Sequence, residues 1–358
     1  MRFSAFFFAT AAVYFSTSVS AAAINLDARK KCDASTTVTV TVTPGAPTQT
    51  STESAPSGPT STSVPPPPGK GGVFDASSFF PVPYKQAFST LPSDIVGGNV
   101  THVDMSLDAL SASSVSKGVT EDVVDAPDAP SGVKAFQAKY PKVWIVQPSG
   151  TPRGGFGFYL GDPVGTDFKF ESATEIVYSY AVYFPDNWDW VKGGKIPGPY
   201  GGATMEDAHG CSGGRQEGRD KCFSLRMMWR KDGMGEIYAY VPQVKENDDA
   251  FMALPGTVQD AAYGYSVARG AFTFPKGAWT VLAERVKLNT NGQADGEIEL
   301  FVNGESKIFA KNVVIRQNAD TAFRGGHFQT FFGGSNAEWA TQSDVEAYFS
   351  GVSASIIA

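Results

Sequence analysis

The sequence has 358 residues, with 36 acidic and 29 basic side chains and a formal net charge of −7. Nucleic-acid-binding proteins normally carry a basic excess, so this balance argues against a nucleic-acid partner. The 38 glycines, the 13% aromatic content and the repeated short alternating segments favour an all-β sandwich over a helical fold.

The first 22 residues are predicted to be a signal peptide. Arg2 is followed by the largely apolar segment Phe3–Phe15, and small residues suited to cleavage lie at positions 20–23. A membrane anchor would need about 20 apolar residues, and serine and threonine begin too early for that. We therefore expect a secreted, extracellular protein with no membrane partner.

Residues 23–72 are predicted to be a disordered linker. Serine, threonine, proline and glycine dominate from about Ser35 to Gly72, and four consecutive prolines occupy positions 65–68. This composition is typical of an extended, O-glycosylated stalk. Cys32 lies in this arm and would be able to pair between molecules.

Residues 73–358 are predicted to form one β-jelly-roll domain, a concanavalin-like sandwich of two antiparallel sheets. The segment Glu175–Phe184 is apolar on nearly all positions, which indicates a central strand. Asn99 begins an N-glycosylation sequon. The other strong strand signals are Val133–Tyr140, Lys142–Gln147, Gly155–Leu160, Gly270–Phe274, Trp279–Leu288, Gly296–Val302, Lys307–Val314, His327–Gly333 and Val345–Ile356.

Two alternating runs, Phe223–Arg230 and Glu236–Val241, flank a turn-forming Lys-Asp-Gly-Met-Gly segment and predict a β-hairpin. Side chains alternate between the faces of a strand. One face is therefore apolar, and the other, which we expect to be open, carries Ser224, Arg226, Arg230, Tyr238 and Tyr240. A turn centred on Gly233 would place Arg226 opposite Tyr240.

The segment from Lys192 to Lys231 carries eight basic and four acidic residues, although the whole chain is acidic. A local positive excess steers anionic ligands to one place. The alternative is an ordinary solvated sheet face with packed tyrosines. Cys211 and Cys222 bracket ten residues of this segment and are predicted to form a disulfide rather than a zinc site, since no histidine is adjacent.

Three motifs in this region resemble polysaccharide lyase family 14, which contains alginate and glucuronan lyases. They are Gly-Gly-Lys-Ile-Pro-Gly at 193–198, Phe-Ser-Leu-Arg-Met-Met-Trp-Arg at 223–230 and Tyr-Ala-Tyr at 238–240. The resemblance implies a jelly roll and a catalytic set of Lys195, Ser224, Arg226, Tyr238 and Tyr240. It also implies an acidic polysaccharide as the substrate.

Elimination from a uronic acid requires removal of the proton on C5, which is weakly acidic while the carboxylate is charged. Arg226, together with Lys195, would stabilise the enediolate that forms. A tyrosine is a suitable acid and base, because nearby cations favour the phenolate. The sequence does not choose between Tyr238 and Tyr240 for this role. Ser224 would hydrogen-bond the substrate or the phenol.

Further candidates complete the predicted site. His327 and Gln329 share one face of a strand, and with Arg230 we assign them to substrate binding, although a core histidine is an equal alternative for His327. No His-x-His or His-Glu-x-x-His pattern occurs, so we expect neither a metal nor another cofactor. We expect a monomer.

Two other functions are also compatible with the sequence. A non-catalytic carbohydrate-binding lectin would use the same sandwich, because fold does not dictate function. A glycoside hydrolase would use Glu297 and Glu299, which share a strand face and could supply paired carboxyl groups about 5 Å apart. A solvated outer strand face is the simpler interpretation of these two residues.

Overall fold

The structure is a computed structural model that describes residues 73–117, 121–142, 154–211, 214–334 and 336–358. The predicted signal peptide, the predicted linker with Cys32 and nearly all of the predicted strand at 142–147 lie outside the described residues. Asn99 of the sequon is exposed, as a glycosylated residue would need to be.

Seventeen strands are present in the described part of the chain. In order they are β1 Gln86–Ser89, β2 Thr101–His102, β3 Asp122–Asp125, β4 Lys134–Tyr140, β5 Phe156–Leu160, β6 Glu175–Phe184, β7 Gly193–Lys195, β8 Gly198–Gly202, β9 Cys222–Arg230, β10 Met234–Tyr240, β11 Val258–Asp260, β12 Gly264–Thr273, β13 Ala278–Lys287, β14 Gly296–Val302, β15 Glu305–Val313, β16 Ala322–Phe332 and β17 Val345–Ile356.

The helices of the described residues are short. The α-helices are α1 Ala76–Phe79, α2 Ser93–Val96, α3 Met205–His209 and α4 Lys245–Met252, and the 3-10 helices span Phe170–Ser172, Arg219–Lys221, Lys231–Gly233 and Ala337–Trp339. None of the helices in these ranges has the length and apolar character needed to cross a membrane.

The strands form two sheets, which confirms the predicted jelly-roll sandwich. The larger sheet has the order β15-β14-β13-β6-β17-β1-β2, with β4 on β17 and β3 on β4. The smaller sheet has the order β11-β12-β10-β9-β7-β16-β5, with β8 beside β9 and β16. Strand β6 lies inside the larger sheet between β13 and β17, as its apolar sequence predicted. All pairs are antiparallel except β1 with β2.

Aromatic side chains from both sheets fill the space between them. Phe328 of β16 packs against Tyr180 of β6 and Phe349 of β17, with ring centres 5.8 Å apart in both contacts. Alternate residues of the β9–β10 hairpin enter the same core, which fixes that hairpin's opposite face outward. The inward residues are Phe223, Leu225, Met227, Trp229, Ile237 and Ala239.

The register of this hairpin differs from the prediction by two residues. Arg226 lies opposite Tyr238, and Ser224 lies opposite Tyr240. The turn centres on Asp232, which adopts a left-handed φ of 61°, and Gly233 follows with a φ of 77°. The predicted pairing of Arg226 with Tyr240 is therefore wrong. A shift of two residues leaves every side chain on its predicted face.

Candidate active site

The outer face of the smaller sheet brings the predicted polar residues together. Strand β7 lies between β9 and β16, so Lys195 reaches the hairpin from the side opposite β10. Its approach depends on glycine, because a Cβ on Gly194 would lie 2.2 Å from the Trp229 ring. The close passage of β7 over this indole explains why the Gly-Gly-Lys motif has no side chain directly before the lysine.

Lys195 is the centre of the site. Its ammonium nitrogen donates a hydrogen bond to the Tyr240 hydroxyl across 3.2 Å and lies 4.6 Å from the centre of the Tyr238 ring. The two tyrosine rings meet edge to face with centres 5.3 Å apart. Lys195 and the two tyrosines, which are distant from it in sequence, are therefore in mutual contact.

The surroundings shift the proton affinities of these groups. Burial lowers the pKa of Lys195 well below its ordinary value, and the positive charges of Arg226 and Arg230 lower it further. Burial raises the pKa of Tyr238, and the charge of Tyr240 adds to this effect. Tyr238 is therefore held as a neutral phenol that can donate a hydrogen bond.

Arg226 lies beneath this contact rather than on an open surface. Its side chain is only 1% exposed, and burial lowers its pKa. Nη1 donates to Oε1 of Gln329 at 2.7 Å, whereas Nε is buried without a hydrogen-bond partner among the described residues. The Ser224 hydroxyl is also buried and has no hydrogen-bond partner among the described residues. The prediction of an open sheet face is therefore wrong, because neighbouring strands contribute side chains that cover β9.

Strand β16 carries His327 and Gln329, which were predicted to share one face. His327 is 5% exposed and stacks on Tyr159 with ring centres 4.2 Å apart. Burial, with repulsion from Arg226, lowers its pKa well below the ordinary value, so the imidazole is neutral. Gln329 bonds Arg226, and Phe331 lies near Lys195. The shared face is confirmed, while contact of His327, Gln329 or Arg230 with substrate stays a prediction.

A pocket of about 580 Å³ opens beside the site. It is lined by Lys195, Tyr238 and Tyr240 together with Arg230, Arg269 and Phe331. Arg230 is ion-paired with Glu236 at 2.5 Å. The predicted disulfide Cys211–Cys222 is present and packs against Tyr240, so it supports this phenol.

Comparison with known proteins identifies the family. The model of the polysaccharide lyase 14 family matches residues 128–352. The chain belongs to this family. The lyase is similar to the solved structure of an alginate lyase from Aplysia kurodai, with 29% identity and a TM-score of 0.60, covering 77% of this chain and all of that one.

A second solved structure shows the same fold. An alginate lyase from a Chlorella virus has 22% identity and a TM-score of 0.54, covering 71% of the lyase and 98% of that chain. No curated protein sequence matches the lyase significantly. The jelly roll and the membership of a polysaccharide lyase family, expected from three motifs, are confirmed.

The two glutamates proposed for a hydrolase are on the other sheet of the lyase. Glu297 and Glu299 belong to β14 and both face Arg285, at 2.8 and 3.5 Å. Lys287 approaches Glu297 as well. Both carboxylates are therefore ion-paired on the larger sheet, and neither lines the pocket beside Lys195, Tyr238 and Tyr240. Among the described residues, no group of three or more potential ligands could hold a metal ion.

The sequence did not single out several residues near the site. Glu236 has the same strand parity as Tyr238 and Tyr240, so alternation alone could have placed it on this face. Nothing in its neighbours signals that it is completely buried. Arg269 comes from β12, which pairs with β10, and Tyr159 comes from β5, which pairs with β16, so only the sheet order brings these residues near the site.

Proposed function

We propose that this polysaccharide lyase cleaves a 1,4-linked polymer of uronic acids by β-elimination. The two candidate substrates are glucuronan and the polymannuronate blocks of alginate. Alginate is favoured by the similarity to the Aplysia kurodai enzyme, which is named as an alginate lyase. The predicted signal peptide supports the further proposal that the enzyme is secreted.

The contact between Lys195 and Tyr240 above Arg226 is the observation that carries this proposal. A hydrogen bond donated by a lysine and the charge of a nearby guanidinium both stabilise a phenolate. Tyr240 as the phenolate takes the proton from C5, and the electrons of that bond move into the carboxyl group. An enediolate forms, and its negative charge falls beside Lys195.

The second half of the reaction uses the same phenol. In β-linked glucuronate or mannuronate, the C5 proton and O4 lie on the same ring face. The Tyr240 hydroxyl then donates its proton to O4 as the bond from C4 to O4 breaks, and a double bond forms between C4 and C5. Tyr240 returns to the phenolate, and one chain has become two without consuming water.

Arg226 and Lys195 divide the neutralisation of the carboxylate. Lys195 lines the pocket and is the direct contact for the carboxylate. Arg226, fixed by Gln329, stabilises the same charge from within the sheet, where a low dielectric strengthens the interaction. Tyr238, a neutral phenol, orients the sugar by donating a hydrogen bond.

One product assay tests the proposal. The protein is incubated with polymannuronate, polyguluronate and glucuronan, and ultraviolet absorbance of unsaturated uronate ends is followed beside the release of reducing ends. We expect both signals to rise together on polymannuronate or glucuronan. Reducing ends without absorbance would indicate hydrolysis and contradict elimination. Polymer binding without either signal would indicate a lectin.

A further inference from the structure

Glu236 organises a second group of charged side chains next to Tyr238. It is fully buried on the outward side of β10. One carboxylate oxygen accepts a hydrogen bond from Arg230 at 2.5 Å. The other accepts from Nε of Arg269 at 2.8 Å and from the Ser266 hydroxyl at 2.5 Å. Bonds from charged donors to one carboxylate fix the orientation of both guanidinium groups.

This group leaves positive charge on the pocket wall. Two guanidinium groups share the single negative charge of Glu236, and both arginines line the pocket. Nε of Arg230 is buried and, within the described ranges, has no hydrogen-bond partner. The acid on the wall is Asp260, and one of its carboxylate oxygens accepts the backbone N–H groups of residues 262 and 263. The wall therefore favours an anion.

The group is separate from Arg226, the buried cation assigned to the reacting sugar. Arg226 and Arg230 are four residues apart on β9, which is about 13 Å along a strand. Gln329 on β16 holds the Arg226 guanidinium, whereas Glu236 on β10 holds that of Arg230, so the two groups turn to opposite sides of β9. One carboxylate cannot reach both arginines.

We infer that Arg230 and Arg269 form a subsite for a second carboxylate, that of a sugar further along the substrate chain. This inference rests on the proposed function, because a polyuronate carries one carboxylate on every ring. Glu236 is a positioning residue, since it contacts the arginines rather than the sugar. Phe331 and Trp339 line the same pocket and offer apolar surface to the sugar rings.

The competing interpretation is an ion-pair cluster that only ties β9, β10 and β12 together. A subsite and a structural cluster predict a different dependence of the kinetics on substrate length. A structural cluster affects all substrates equally, whereas a subsite affects only substrates long enough to occupy it. Arg269 suits the test because its side chain is 34% exposed, so replacement leaves no empty core position.

The experiment compares the wild type with Arg269→Gln, Arg269→Lys and the control Lys134→Gln. The control removes a half-exposed positive charge from the larger sheet. Steady-state rates are measured on the preferred polyuronate and on the shortest oligouronate that the wild type cleaves. We expect Arg269→Gln to raise KM on the polymer about tenfold with little change in kcat. KM on the shortest oligouronate stays at the wild-type value, and Arg269→Lys recovers most of the loss.

Three results would overturn an assignment. An unchanged KM of Arg269→Gln on the polymer would exclude the subsite. An equal increase of KM on long and short substrates would support the structural cluster instead. Absence of unsaturated product in the wild type would overturn the proposed function, and the subsite with it.

Discussion

The Lys195 ammonium nitrogen lies 3.2 Å from the Tyr240 hydroxyl oxygen and donates a hydrogen bond to it. The two residues are on strands separated by β9, so their side chains meet above Arg226. In the proposed mechanism, this contact couples Lys195, which binds a carboxylate, to Tyr240, which moves a proton.

Loss of the buried guanidinium should abolish most of the activity. Arg226→Ala removes positive charge from beneath the developing enediolate, and loss of one such stabilising group lowers kcat by about 10²–10³-fold. Gln329→Ala leaves the charge but frees the side chain, so we expect a decrease of only about tenfold or less. The decrease in kcat of each variant is measured from initial rates at saturating substrate. Equal losses in the two variants would contradict a division between charge and positioning.

The pH dependence should differ between free enzyme and complex. The pKa of Lys195 is lowered in the free enzyme, and a bound carboxylate favours the charged lysine and raises that pKa again. As pH rises, kcat/KM therefore falls at lower pH than kcat does. In a Lys195→Arg variant this separation should disappear, because the guanidinium that replaces the amine keeps its proton throughout the range. Coincident alkaline limbs in the wild type would contradict the role of Lys195.

The disulfide should support both stability and activity. Cys211 and Cys222 close a short loop and pack against Tyr240. Replacing both with serine should lower the free energy of unfolding by about 2–3 kcal/mol. Because the Tyr240 ring loses this support, kcat should also decrease at temperatures where the variant remains folded. Urea unfolding and rate measurements on the same sample separate the two effects, and unchanged kcat would exclude a role in positioning Tyr240.

A buried acid in the core should make the protein less stable at high pH. Both carboxyl oxygens of Glu284 are buried without hydrogen-bond partners among the described residues, and burial raises its pKa well above the ordinary value. The folded state keeps the proton while the unfolded state releases it, so stability falls as pH rises. The fall is at most about 1.4 kcal/mol per pH unit.

Glu284→Gln removes this dependence because the amide does not titrate. We expect its advantage over the wild type, measured by urea unfolding, to grow between about pH 5 and about pH 8. A constant difference between the two proteins across this range would contradict a protonated Glu284. Activity on polyuronates serves as the control and should be unchanged, because Glu284 lies on the larger sheet rather than in the pocket.

Alternation predicted much of the fold and the correct face for each residue of the hairpin. Strand β6 and the inward residues of β9 and β10 followed from apolar pattern alone. The register could not be predicted, because it depended on Asp232 adopting a left-handed conformation that a non-glycine residue rarely takes. The burial of Arg226 and Glu236 depends on side chains from distant strands, which a local pattern does not contain.

Tyr240 and Tyr238 have different proposed roles, and removal of one hydroxyl at a time tests this division. Ultraviolet absorbance of unsaturated ends is measured on the preferred polyuronate for the wild type, Tyr240→Phe and Tyr238→Phe. We predict that Tyr240→Phe lowers kcat by about 10²–10⁴-fold, as expected for loss of a general acid and base. Tyr238→Phe should lose about tenfold, the effect of one orienting hydrogen bond. Near-normal turnover by Tyr240→Phe, in a variant that unfolds like the wild type, would contradict the role of Tyr240 as the acid and base.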